Sequence, residues 1–224
     1  MSSAQTVQAI AQSLSRPRFS TYERAVVAVG DPGEAALALY EWNAQISGAF
    51  MAPLHICEIV SRNAVSDALT ALSSPNWPWS PAFERSLHSA RGGYDPRGDL
   101  VACRTRASTT GKVIPELKFV FWQNMFTGRH DKRVWDVHLR RVLPNLGSGK
   151  TVAQLRREIY EDLDHVRVLR NRIAHHEPIF RRNLAADLAT ISALVRSRCV
   201  LTADWMMRFQ RVTRYLERGA PTGS

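Results

Sequence analysis

Nothing in these 224 residues approaches the roughly 18 consecutive apolar positions that a membrane-spanning helix needs; even residues 49–60 carry His55 and Glu58. The first residues hold no basic segment followed by an apolar core, so no secretory leader is read. Cysteine is scarce. Cys57, Cys103 and Cys199 are widely spaced and odd in number, with no C-x-x-C pair for zinc or redox work. These absences point to the cytoplasm, with no membrane, metal or cofactor expected. No alternating run is long enough for a convincing strand. Lysine is scarce as well: Lys112, Lys118, Lys132 and Lys150 are the lysines among 30 basic residues, so arginine carries most of the formal charge of +10.

What is present is ordinary for a folded chain, with 45% hydrophobic and 22% charged residues. Arginine's planar fork suits phosphate oxygens, and a basic field draws in polyanions. A charge of this kind also follows from compositional bias, so it supports RNA as a partner without identifying it.

The spacing of apolar residues predicts an all-α protein. Residues 6–14 form a short amphipathic helix that Arg16-Pro17-Arg18 ends, with a second helix from about Ser20. Asp31-Pro32-Gly33 makes a turn before a long helix over 34–72, which Pro53 is expected to kink or divide. Residues 73–99 are rich in Pro, Gly, Ser and Trp and read as a loop, with one short helix over 81–90. Trp77 and Trp79 there either stack on bases or, the stronger expectation, pack the loop onto the body. Helices follow over 115–126 and 131–143. Gly147-Ser148-Gly149-Lys150-Thr151 lacks the first glycine of a phosphate loop and follows no strand, so it reads as a turn with Thr151 as a helix cap.

The clearest helix comes next. Val152, Leu155, Ile159, Leu163, Val166, Leu169 and Ile173 recur at three- and four-residue intervals, and Pro178 ends the run near His175. Two more helices are expected over 183–199 and 203–218. The division is then N-terminal helices over 1–33, a core over 34–180 with an insertion at about 73–99, C-terminal helices over 181–218 that complete the bundle, and a flexible tail over 219–224.

The functional argument rests on the string Arg170-Asn171-Arg172-Ile173-Ala174-His175-His176-Glu177-Pro178. It resembles the Abi-like (abortive infection) proteins of the HEPN superfamily, whose mark is an arginine, a following polar residue and a histidine four to six places after the arginine. Tyr40-Glu41-Trp42-Asn43, residues 54–64 and Phe119-Val120-Phe121-Trp122 are similar to that family's other recurring stretches, in the same order. The resemblance covers about residues 40–180. It implies an antiparallel helical bundle, with the extra helices and the Pro/Trp-rich loop as additions. It also implies metal-independent RNA cleavage at a composite site between two protomers, in a toxin or phage-defence effector, with a homodimer and a cognate antitoxin as candidate partners. Some HEPN toxins controlled by nucleotidylation carry a tyrosine two places after the histidine; Glu177 stands there instead, which argues against that mode of control.

The residue types suit the chemistry independently. Attack by a ribose 2′-hydroxyl needs a base, an acid for the departing 5′-oxygen, and positive charge on the phosphorane. Histidine serves either proton role, and arginine supplies a permanent charge with paired donors. Arg170 and His175 are the expected catalytic pair. On an unbroken helix, residues five apart diverge by about 140°. Either the helix unwinds near Ala174, or two copies bring their pairs together across a two-fold axis.

Asn171, His176 and Glu177 are candidate supporting residues. Glu58, Arg62 and Asn63 form a second cluster, in which Glu58 and Arg62 have the i,i+4 order of a helix salt bridge; by resemblance they buttress the Arg170 and His175 cleft. Arg208, Arg211, Arg214 and Arg218 fall on one side of the last helix, opposite Trp205, Phe209, Val212 and Leu216, as either an RNA-backbone track or a solvated face. His55 is expected in the core. The competing function is a catalytically silent RNA- or protein-binding module; a DNA-binding regulator is weaker, because no helix-turn-helix pattern is found.

Overall fold

In a computed structural model, residues 3–26, 31–89 and 92–221 are described; they form α-helices and short 3₁₀ and π segments, with no strand among them. The protein is all-α, as its periodicity predicts. The expected tail over 219–224 lies outside the described residues beyond Pro221, as does Ala90 at the end of one expected helix.

Helix α1 spans Ser3–Ser13 and α2 spans Arg16–Glu23. Pro17 opens α2 rather than ending α1. Its fixed φ and missing N–H fit the first turn of a helix, where that donor has no intrahelical partner, and Ser15, at φ 71°, makes the corner.

Helix α3, Pro32–Leu72, is 41 residues long, about 60 Å at the usual rise per residue. Asp31 caps it by accepting from the Gly33 amide at 2.8 Å. Pro53 lies inside the helix on its buried face and does not divide it. A proline there costs on the order of 3 kcal/mol, which the packing of α3 against most of the other helices outweighs.

The Trp-rich insertion is more ordered than its composition suggests. Trp77–Trp79 is a 3₁₀ turn, followed by α4 (Pro81–Ser86), α5 (Pro96–Thr105) and α6 (Thr110–Glu116). Trp77 is fully buried, donates to Ser66 Oγ at 3.1 Å, and meets Phe83 and Trp122 edge to face. It therefore pins the insertion onto α3, while Trp79 stays at the surface. Asp95 caps α5 and Pro96 opens it. Pro115 lies near the end of α6 instead of starting a helix, and α7 is short, Phe119–Asn124.

After a π segment at Asp131–Trp135 come α8 (Asp136–Val142), α9 (Val152–Ala174), α10 (Leu184–Arg198), α11 (Val200–Phe209) and α12 (Val212–Arg218). The single last helix expected over 203–218 is two, broken at Gln210 and Arg211. Thr151 and Gln154 form a reciprocal capping box at the start of α9. The stripe Leu155, Ile159, Leu163, Val166, Leu169 and Ile173 is buried throughout. Helix α9 runs antiparallel to α3: Asn43 meets the chain just beyond the end of α9, and Cys57 further along α3 lies near Asp162. A smaller core of Ala11, Phe19, Tyr22, Ala36 and Leu39 seats α1 and α2 on the first turns of α3.

Candidate functional site

Helix α9 stays regular through Ala174, so it does not unwind there to bring Arg170 and His175 together. His175 is the cap residue, and its amide bonds to the Asn171 carbonyl at 2.9 Å. The next two amides close the end: His176 N–H donates to Ile173 O at 3.0 Å and Glu177 N–H to Arg172 O at 2.7 Å. This is a Schellman closure, in which the residue after the cap takes the left-handed conformation and is usually glycine. Here it is His176, at φ 56°, a conformation that costs a side-chain-bearing residue on the order of 1 kcal/mol or more.

Neighbouring elements hold that strained turn. Arg18 on α2 donates to the His176 carbonyl at 2.5 Å. Arg172 donates twice to the Pro178 carbonyl, at 2.8 and 3.2 Å, and pairs with Glu177 at 3.3 Å. Asn43 on α3, itself buried, accepts from the Ile179 and Phe180 amides at 2.8 and 3.2 Å. The segment after α9 is thus tied to α2, α3 and α9 at once.

Around the fixed turn the string divides into two faces. Arg170 and His175 are exposed, and among the described residues neither side chain has a hydrogen bond or ion pair. Asn171 is half-buried beside them. His176 and Glu177 instead line a pocket of about 410 Å³, whose other walls include Tyr22 from α2 and Tyr40, Asn43, Ser47 and Gly48 from α3. The Tyr22 and Tyr40 rings lie 4.6 Å apart, and burial, the largest cause, pushes the Tyr22 hydroxyl up to about 12. Arg18, Tyr22 and Asn43 are the residues that sequence reasoning missed. Tyr40 and Asn43 stood in a recognised stretch without a role, and Arg18 stood in an expected helix breaker.

The second expected cluster is a structural pair. Glu58 and Arg62 form the i,i+4 ion pair on α3, with side chains only 16% and 17% exposed. No hydrogen bond or ion pair joins them to Arg170 or His175, and Asn63 is exposed. His55 is exposed too, not a core histidine. The arginine row is interrupted: Arg208 lies on α11, Arg211 at the break, and Arg214 and Arg218 on α12, all exposed. Trp205 and Phe209 do not pack inward; with Leu201 they form an exposed stripe along α11, while Val212 alone of the expected apolar set is fully buried.

A further cluster gave no sequence signal. The buried Asp187 carboxylate accepts from Arg182 at 2.7 and 2.9 Å and meets His165 Nε2 at 2.7 Å, locking α9 to α10. Among the described residues no group of three or more His, Cys, Asp or Glu side chains is placed to hold a metal ion, and no helix is long and apolar enough to cross a membrane.

No protein family, curated protein or solved structure matches this chain. The functional reading therefore rests on the local geometry and on the resemblance of the α9 string.

Proposed function

We propose that the chain is a metal-independent endoribonuclease of HEPN type, with Arg170 and His175 as catalytic residues, acting as a toxin or phage-defence effector. The observation that carries the reading is their state: an arginine and a histidine stand exposed and unpartnered at the end of a rigid, capped helix. Neighbouring arginines on the same helix differ: Arg156 and Arg167 are engaged in ion pairs.

The reaction balances without metal. One His175 takes the proton from the ribose 2′-hydroxyl as the 2′-oxygen bonds to phosphorus. The bond from phosphorus to the 5′-oxygen breaks, and a second, protonated His175 gives its proton to that oxygen. The products are a 2′,3′-cyclic phosphate and a 5′-hydroxyl. Arg170 neutralises the charge that gathers on the non-bridging oxygens. The two His175 side chains come from two copies of the chain, since each copy carries one, and the regular helix, which keeps Arg170 and His175 of one copy apart, leaves a second copy to complete the site. Met51, Ile59 and Val168 are exposed apolar side chains on α3 and α9, the surface that a second copy would cover.

A second reading, a binding module without cleavage, draws on the exposed Leu201, Trp205 and Phe209 stripe, which suits a protein partner such as an antitoxin. One experiment separates the two. Wild type and His175→Ala, shown to fold and associate alike, are incubated with total RNA in excess chelator. Cleavage by wild type alone, leaving cyclic phosphate ends, is expected. No cleavage by either, or equal cleavage by both, overturns the assignment.

A further inference from the structure

The pocket beside the α9 string has features that catalysis by Arg170 and His175 does not require. Its walls are largely apolar, from Ala44, Gly48, Met51 and Ile173, yet several polar groups converge on it. Among the described residues the hydroxyls of Tyr22 and Tyr40 and the Asn43 Nδ2 amide have no hydrogen-bond partner in the protein, which leaves them free to meet a ligand in the pocket. Asn43 spends its oxygen on the Ile179 and Phe180 amides, which fixes its Nδ2 as the end left over. Tyr22, with its hydroxyl held up at about 12, stays a donor at neutral pH. Glu177, on the strained His176 turn, also lines the pocket and supplies an acceptor there, with one of its oxygens shared with Arg172 at 3.3 Å.

We propose that this pocket receives a guanine base of the RNA next to the scissile phosphate, and so sets where the chain cuts. The pocket's size falls in the range of small-ligand sites, roughly 300–1,000 Å³, and two tyrosine rings offer aromatic surface for a base. The polar pattern selects the base. A carboxylate accepts from two adjacent donors, and among the four bases only guanine presents two side by side, N1–H and the N2 amino group. Its O6 and N7 are acceptors, which the Asn43 amide and the tyrosine hydroxyls satisfy. Adenine and cytosine set an acceptor beside the amino group and turn it toward Glu177; uracil flanks its single N–H with two carbonyls. The wrong base leaves these polar groups mismatched, which sets it at a disadvantage.

The inference rests on the ribonuclease reading for its biological meaning, but the pocket is tested apart from cleavage. Equilibrium dialysis of the full chain is run with GMP, IMP, AMP, CMP and UMP. GMP is expected to bind at least tenfold more tightly than AMP, CMP or UMP, and several-fold more tightly than IMP, which lacks the N2 amino group. Glu177→Gln should erase the margin over IMP. Gly48→Leu fills the pocket from the exposed face of α3, where an added Cβ meets nothing within 4 Å, and should abolish binding while folding normally; Ala44→Leu repeats the test from the next turn. Equal binding of all the nucleotides, no binding, or unchanged binding by folded Gly48→Leu and Ala44→Leu overturns the proposal. Sequencing of RNA ends separates the two readings: cuts without base preference sink the guanine pocket and leave the ribonuclease, whereas selective GMP binding without any cleavage sinks the ribonuclease and leaves the pocket.

Discussion

Asn43→Ala tests how the end of α9 is held in place. The wild-type oxygen serves two backbone donors, Ile179 N–H at 2.8 Å and Phe180 N–H at 3.2 Å, from a nearly inaccessible position. Alanine leaves both unmet. The Ile179 amide belongs to a fully buried residue, and an unsatisfied buried donor costs about 1–3 kcal/mol. The Phe180 amide belongs to a half-buried residue that water reaches more readily, so its loss is smaller. Together they come to about 3 kcal/mol, a large share of the roughly 5–15 kcal/mol that holds a typical domain, and equivalent to about 6–12 °C in Tm for a chain of this size. Urea melts followed by circular dichroism measure it. Asn43→Asp keeps the acceptor and should recover most of the loss. A loss below about 1 kcal/mol for alanine, or an aspartate variant as weak as the alanine one, would refute the idea that this side chain holds the segment after α9.

Two further outcomes are expected. Burial first, and then the positive charges of Arg129 and Arg133, lower the His130 imidazole to about 4. An unfolded chain protonates that histidine near 6.5 whereas the folded one resists, so its contribution is complete above about 6.5 and is lost as pH falls through 4, up to about 3 kcal/mol. Urea midpoints between pH 7 and pH 4 should therefore fall more steeply for wild type than for His130→Asn, and parallel curves would count against it. Thr151→Ala removes half of the α9 capping box and should cost about 1 kcal/mol, or about 2–4 °C in Tm, whereas Thr151→Ser should be close to neutral; a larger drop for serine than for alanine contradicts the capping role.

Helix α9 was legible from sequence because six turns of apolar spacing, a Thr151 start and a Pro178 stop all agree. Local signals failed where they compete. Pro17 marks a helix start as readily as a stop, and the backbone turn at Ser15 decides it. Pro53 breaks an isolated helix, but packing along α3 overrides it. Asp95-Pro96 is a helix-start signal that the surrounding glycines and prolines obscured, and the break at Gln210 interrupts a periodicity that the arginine row was assumed to follow. The site divides along the same line. Arg170 and His175 lie within one short string and are visible there. The pocket wall is not, because Tyr22 and Asn43 come from helices more than a hundred residues earlier and meet the string only through the fold.

Helix α3 passes under α1 and α2 at one end and α10 and α11 toward the other, and it touches α7, α8 and α9 between them. One continuous helix thus packs against nearly every other element. Its central amides should be the slowest in the protein to exchange with deuterated solvent and should open only with global unfolding. The first and last helices, each resting on α3, should fray independently without carrying the rest of the chain with them.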